Sequence, residues 1–86
     1  MTGFTIFNKS NKAFFVFVSK YSGGDDSWFT LQPGTSDVWT RNGWEVIVFR
    51  DPDTGARRGW YLDCAALNTL NVAFFGLTSD VQTARG

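Results

Sequence analysis

The sequence predicts an all-β fold, a two-layered antiparallel β-sandwich of about six to seven short strands, and three observations carry that expectation. Nine Phe, four Trp and two Tyr stand against one Met, and Leu occurs only at Leu31, Leu62, Leu67, Leu70 and Leu77. The apolar share is therefore built from residues that favour a pleated surface over a helix. Turn signals rich in Gly, Pro, Asn and Asp recur at short intervals, with β-branched and aromatic runs between them. Finally, a chain of 86 residues buries only roughly 60% of its surface, enough for one core and not two. Residues 1–86 are read as one sandwich domain.

Phe4 to Phe7 is the first strand, cut by Asn8-Lys9-Ser10-Asn11-Lys12. The second, Ala13 to Tyr21, sets Ala13, Phe15, Phe17, Ser19 and Tyr21 on one face and Phe14, Val16, Val18 and Lys20 on the other. Both faces are apolar at the start, so this strand is expected at the centre of a sheet, covered on both sides by a second layer or a partner subunit. Ser22-Gly23-Gly24-Asp25-Asp26 is an acidic loop, and Ser27 to Gln32 is a third strand that stops at a type II turn, Pro33-Gly34. Val38-Trp39-Thr40-Arg41 and Trp44-Glu45-Val46-Ile47 flank Asn42-Gly43, the strongest local signal for a type I′ hairpin. That turn pairs Arg41 with Trp44, Thr40 with Glu45, Trp39 with Val46 and Val38 with Ile47. One face then carries Trp39, Arg41, Trp44, Val46 and Val48, the other Val38, Thr40, Glu45, Ile47 and Phe49. Asp51-Pro52-Asp53-Thr54-Gly55 turns the chain into a strand from Arg57 to Leu62. Asp63 to Asn68 is either one helical turn or a loop. Asn71 to Leu77 is the last firm strand, and residues 78–86 form an edge strand or a loose tail. The expected core is Phe4, Ile6, Phe15, Phe17, Val38, Ile47, Phe49, Leu62, Val72 and Phe74.

Composition also excludes functions. Eight Lys+Arg balance eight Asp+Glu, so the chain lacks the positive excess that drives nucleic-acid binding. Without a single His, the Ser-His and Cys-His arrangements of common hydrolases are ruled out. One Cys, Cys64, makes neither an intramolecular disulfide nor a zinc site, and reads as a small buried apolar residue. The start of the chain lacks the basic and apolar regions of a signal peptide, and no long apolar run marks a transmembrane segment. A cytoplasmic protein is expected on these grounds. The sequon Asn8-Lys9-Ser10 is the kind of three-residue match that arises by chance. Asp51 and Asp53 suit turn chemistry better than paired-carboxylate catalysis or calcium binding, because Asp beside Gly and Pro holds turns through its own side chain. Arg57 and Arg58, adjacent on a strand, point to opposite faces and cannot grip one phosphate together. No cofactor and no metal is called for.

The Trp residues carry the functional expectation. Trp28, Trp39 and Trp44 each stand beside turn-rich or polar segments, where a large amphipathic ring is costly to leave without a purpose. A sugar offers an apolar face of C–H groups and a rim of hydroxyls, so its site wants an aromatic plate beside planar groups that donate and accept in pairs. Trp39, Arg41, Asn42, Trp44 and Glu45 supply both in one short span, with Asp26 and Trp28 from the neighbouring loop. Arg41 and Trp44 have an alternative use, as a cation–π pair, and Trp60, beside Arg58 and Tyr61, either forms a second site or packs underneath.

Along Asp26-Ser27-Trp28-Phe29, Pro33-Gly34, Asp37-Val38-Trp39-Thr40-Arg41-Asn42-Gly43-Trp44-Glu45, Phe49-Arg50 and Arg57-Arg58-Gly59-Trp60-Tyr61, the chain resembles small all-β mushroom lectins of the type found in Lyophyllum decastes. The resemblance implies a non-catalytic, α-galactosyl-binding protein of the fruiting-body cytoplasm that binds glycans, serves in defence and works as a homodimer. Alternatives from other classes are a small membrane-active cytolytic protein, which would place surface aromatics at the lipid–water interface, and a protein-binding module or inhibitor.

Overall fold

A computed structural model describes residues 3–20, 27–64 and 69–85. These form eight strands and no helix: β1 Gly3–Asn8, β2 Phe14–Val18, β3 Phe29–Leu31, β4 Ser36–Thr40, β5 Trp44–Arg50, β6 Arg57–Asp63, β7 Leu70–Phe74 and β8 Gln82–Arg85. They make two four-stranded sheets, the first in the order β4-β1-β7-β8 and the second β3-β2-β5-β6. The all-β sandwich expected from the sequence is the fold observed. The pairing is antiparallel except between β1 and β7, which run parallel with Phe4 opposite Leu70 and Asn8 opposite Phe74. β2 is central in the second sheet, and the tail yields β8 as an edge strand. Residues 65–68, in the segment read as either helical turn or loop, lie outside the described residues.

Alternation within each strand explains the layering. β1 buries Phe4, Ile6 and Asn8, β5 buries Glu45, Ile47 and Phe49, and β7 buries Leu70, Val72 and Phe74, so each sheet turns one apolar face to the other. Phe74 of the first sheet is the hub: its ring stacks on Phe49 of the second at 3.8 Å and meets Phe14 edge-on at 4.8 Å. Trp60 lies edge-on to Phe49 and Phe74 at 5.9 and 6.4 Å, with the Arg58 guanidinium 4.8 Å from its ring centre. Trp60 therefore packs, partly buried, against the core.

Six of the expected core residues are fully buried, namely Phe4, Ile6, Ile47, Phe49, Val72 and Phe74, and Leu62 packs against them half-buried. Three are not. Pairing with β5 sets Val16 opposite Phe49 and Val18 opposite Ile47, so Phe14, Val16 and Val18 face inward and Phe15 and Phe17 lie half-buried on the outer face. A strand apolar on both sides leaves that choice to its partners. Val38 is 61% exposed, because it pairs with Thr5 on the outer face while Trp39, opposite Phe4, turns inward.

The hairpin expected at Asn42-Gly43 does not form. β4 pairs with β1 and β5 pairs with β2 and β6, so residues 41–43 carry the chain from one sheet to the other. Trp44 faces Asp63, Glu45 faces Leu62, Val46 faces Tyr61 and Ile47 faces Trp60, in place of the register with residues 38–41. Neither Asn42 nor Gly43 has the positive φ that a type I′ turn requires. The turns at Pro33-Gly34 and Asp51-Pro52-Asp53-Thr54-Gly55 are as the sequence indicates, and the acidic loop expected at residues 22–26 lies outside the described residues. Gly34 has φ 78° and the Thr35 N–H donates to the Gln32 carbonyl at 3.2 Å, as in a type II turn. Asp51 accepts the Asp53 N–H at 2.8 Å through its side chain, and Lys12 Nζ reaches Asp51 and Asp53, each at 2.9 Å.

Both lateral margins of the sandwich are closed across the sheets. On the β3–β4 side the Phe29 and Trp39 rings meet edge-on at 6.0 Å, and buried Asn8 donates through Nδ2 to the Leu31 and Lys12 carbonyls at 2.8 and 2.9 Å. On the β6–β8 side Arg58 pairs with Asp80, and Arg85 Nη2 donates to the Asp63 carbonyl at 3.0 Å. Among the described residues no helix is long and apolar enough to cross a membrane.

Candidate functional site

The residues grouped around the sheet-to-sheet crossing separate into an inward and an outward set. Trp39 is core, 5% exposed. Arg41 turns inward beneath it: Nε donates to the Ser19 carbonyl at 2.8 Å, Nη2 to the Val18 carbonyl at 3.1 Å and Nη1 to the Thr40 carbonyl at 2.8 Å. Glu45 is fully buried and accepts the Ser19 hydroxyl at 2.6 Å, while that hydroxyl accepts the Val46 N–H at 2.8 Å. Ser19 thus joins β2 to β5 where the ladder ends, and the two charged side chains clasp it. Their donors and acceptors are committed within the protein, which is why they occupy a buried site at all. The expected Arg41–Trp44 cation–π pair is not made, because the crossing sends Arg41 to the interior and Trp44 to the surface. Asn42 is exposed on the crossing, and Asp26 lies outside the described residues. Trp28, 41% exposed, lies against Phe17 at 5.4 Å on the outer face of the second sheet, away from the crossing.

Trp44 is left with an open ring. It is 52% exposed, and Tyr61, 59% exposed, stacks on it at 4.9 Å with 29° between the planes. The pairing of β5 with β6 creates this contact: Tyr61 stands opposite Val46, one diagonal step from Trp44 on the same face. Beside the stacked pair is a hollow of about 480 Å³ lined by Leu62, Asp63, Leu70, Thr83 and Arg85 as well as the two rings. It spans the margin between β6 of the second sheet and β8 of the first, where Arg85 reaches the Asp63 carbonyl. An apolar plate, a carboxylate, a guanidinium and a hydroxyl therefore border one open space. Tyr61, Asp63, Thr83 and Arg85 were not legible as site residues, since they meet Trp44 only through strand pairings distant in the chain; the alternation of Arg58, Trp60 and Leu62 against Tyr61 was the one available sign that Tyr61 faces outward.

Other chemically suggestive groups have structural uses. Cys64 is buried with its Sγ 3.4 Å from the Gly43 carbonyl, and burial pushes its thiol pKa up, which disfavours the nucleophilic thiolate. The Asp51 carboxyl is held below the ordinary carboxylate range chiefly by the Lys12 ammonium. No group of three or more His, Cys, Asp or Glu residues lies together among the described residues. Compared with known proteins, the chain matches no protein-family model, no curated protein and no solved structure.

Proposed function

We propose that this protein is a non-catalytic carbohydrate-binding protein, a lectin, whose site is the hollow beside the Trp44–Tyr61 stack. The observation that carries the reading is that stacked, exposed aromatic pair bordered by Asp63, Thr83 and Arg85. The C–H face of a pyranose would lie on the rings. Its hydroxyls would donate to the Asp63 carboxylate and accept from the Arg85 guanidinium, pairing that fixes orientation. A hollow of about 480 Å³ lies within the usual range for small ligands. The resemblance to α-galactosyl-binding mushroom lectins makes a galactosyl unit the first sugar to test, with glycan partners, cytoplasmic storage and a defence role following from it. A single sugar site near 1 mM corresponds to only about 4 kcal/mol, and a homodimer would raise avidity without new contacts.

A glycan array with free-sugar competition tests this reading. The expected outcome is selective, competable binding that is weakened at least about tenfold in Trp44→Ala, the equivalent of ~1.4 kcal/mol. A blank array at high protein concentration overturns the reading. Should that blank accompany leakage from glycan-free vesicles, the membrane-active alternative takes over, carried by Trp28, Trp44 and Tyr61 as exposed aromatics of the second sheet.

A further inference from the structure

Strand pairing in the first sheet builds a second hollow, which adjoins the one at Trp44 through Thr83 and Ala84. On its outer face one row runs Ser36, Phe7, Ala73, Gln82 and the next runs Val38, Thr5, Asn71, Ala84. Small Ala73 thus sits between Phe7 and Gln82, and small Ala84 ends the row that holds Asn71, so large side chains wall a floor of methyl groups. The result is a hollow of about 290 Å³, at the lower end of ligand-sized pockets and suited to a single ring. Lys9 leans over its aromatic wall, with Nζ 5.8 Å from the Phe7 ring centre.

The chemistry of the lining selects a ligand. Phe7 offers an apolar plate, and the carboxamides of Asn71 and Gln82 each present two donors and an acceptor. No Asp or Glu is among the lining residues, and Lys9 is their single charge. The hollow at Trp44 differs, since there Asp63 and Arg85 balance. We infer that the outer face of the first sheet is a second saccharide subsite, selective for a pyranose bearing a carboxylate. This rests on the carbohydrate-binding reading and adds to it: one chain would hold two sites of different preference, a neutral sugar at Trp44 and an acidic one between Phe7 and Gln82. A single chain would then bridge two glycans without assembling into a dimer.

The test uses the full chain on one array carrying neutral galactosides beside their uronate-bearing and sialylated counterparts. Four proteins are compared: wild type, Trp44→Ala, the double variant Asn71→Ala/Gln82→Ala, and Lys9→Gln. Wild type is expected to bind both panels, and Trp44→Ala to lose the neutral panel while keeping the acidic one. The double variant is expected to do the reverse. Lys9→Gln, which changes one exposed side chain, is expected to weaken acidic binding by about threefold at low salt and less at high salt. Loss of both panels in Trp44→Ala overturns the second subsite and leaves the first standing. Retention of acidic binding by the double variant also overturns it. If wild type binds neither panel, the subsite and the lectin reading fall together.

Discussion

Arg41 and Glu45 are charged side chains taken out of water, 3% and 0% exposed, and their value lies in what they hold. Arg41 satisfies the carbonyls of Val18, Ser19 and Thr40. Arg41→Ala takes the guanidinium donors from the Val18 and Ser19 carbonyls, whose bonds to it are buried, and is expected to lower unfolding free energy by about 3 kcal/mol in urea. Trp44→Ala removes a half-exposed ring and is expected to cost under about 1 kcal/mol while weakening glycan binding. This contrast between two residues three apart is the sharpest available check on the division into inward and outward sets. Residue type alone does not reveal it, because an arginine and a carboxylate suited to a sugar's hydroxyls are equally suited to a buried serine. The Lys12 clasp on Asp51 and Asp53 makes a pH prediction. The Asp51 pKa is lowered from 3.8, so its contribution is present above that value and is lost as pH falls through the depressed one. The Lys12 pKa is raised from 10.5, so its share is intact below that value and is lost as pH rises through the elevated one. The stability difference between wild type and Lys12→Met is expected to be level across neutral pH and to vanish at both extremes.

Glycines give the clearest predictions about elements. Gly34 sits at φ 78°, and Gly34→Ala is expected to destabilise by about 1 kcal/mol through strain in its turn. At Gly3, where β1 passes close to β4, an added Cβ would strike the Trp39 carbonyl, and Gly3→Ala is expected to lower the melting temperature more. At Gly43 nothing lies within 4 Å of an added Cβ and φ is not positive. Gly43→Ala is therefore expected to be neutral or slightly stabilising, whereas a type I′ hairpin would lose stability; thermal melts of the three variants decide it. Strand positions were largely legible, since each needs only a local run of β-branched and aromatic residues between breakers. The crossing was not. Asn-Gly favours a hairpin by a local preference, and the ladders of β4 with β1 and of β5 with β2 and β6 outweigh it.

At the scale of the molecule, Phe74 binds the layers together through Phe14, Phe49 and Trp60. Phe74→Ala is expected to cost about 3–5 kcal/mol, a large share of the roughly 5–15 kcal/mol that stabilises a typical domain, so the variant should melt far below the parent in calorimetry. The layered all-β architecture followed from composition and turn spacing because burying alternate residues on short strands leaves few other arrangements. The outward surfaces did not follow, since Tyr61 meets Trp44, and Gln82 meets Ala73, only after the strands have chosen partners.

The parallel ladder of β1 and β7 sets an order of events during synthesis. β2, β3, β5 and β6 all lie between residues 14 and 63, so the second sheet has all its strands early. β1 precedes all of these strands yet finds Leu70 to Phe74 only after they have been made. Until then Phe4 and Ile6 have no strand on the β7 side, and the nascent chain carries an open, sticky margin. Ribosome-bound chains halted before Leu70 should therefore recruit chaperones, and chains extended past Phe74 by the length of the exit tunnel should shed them.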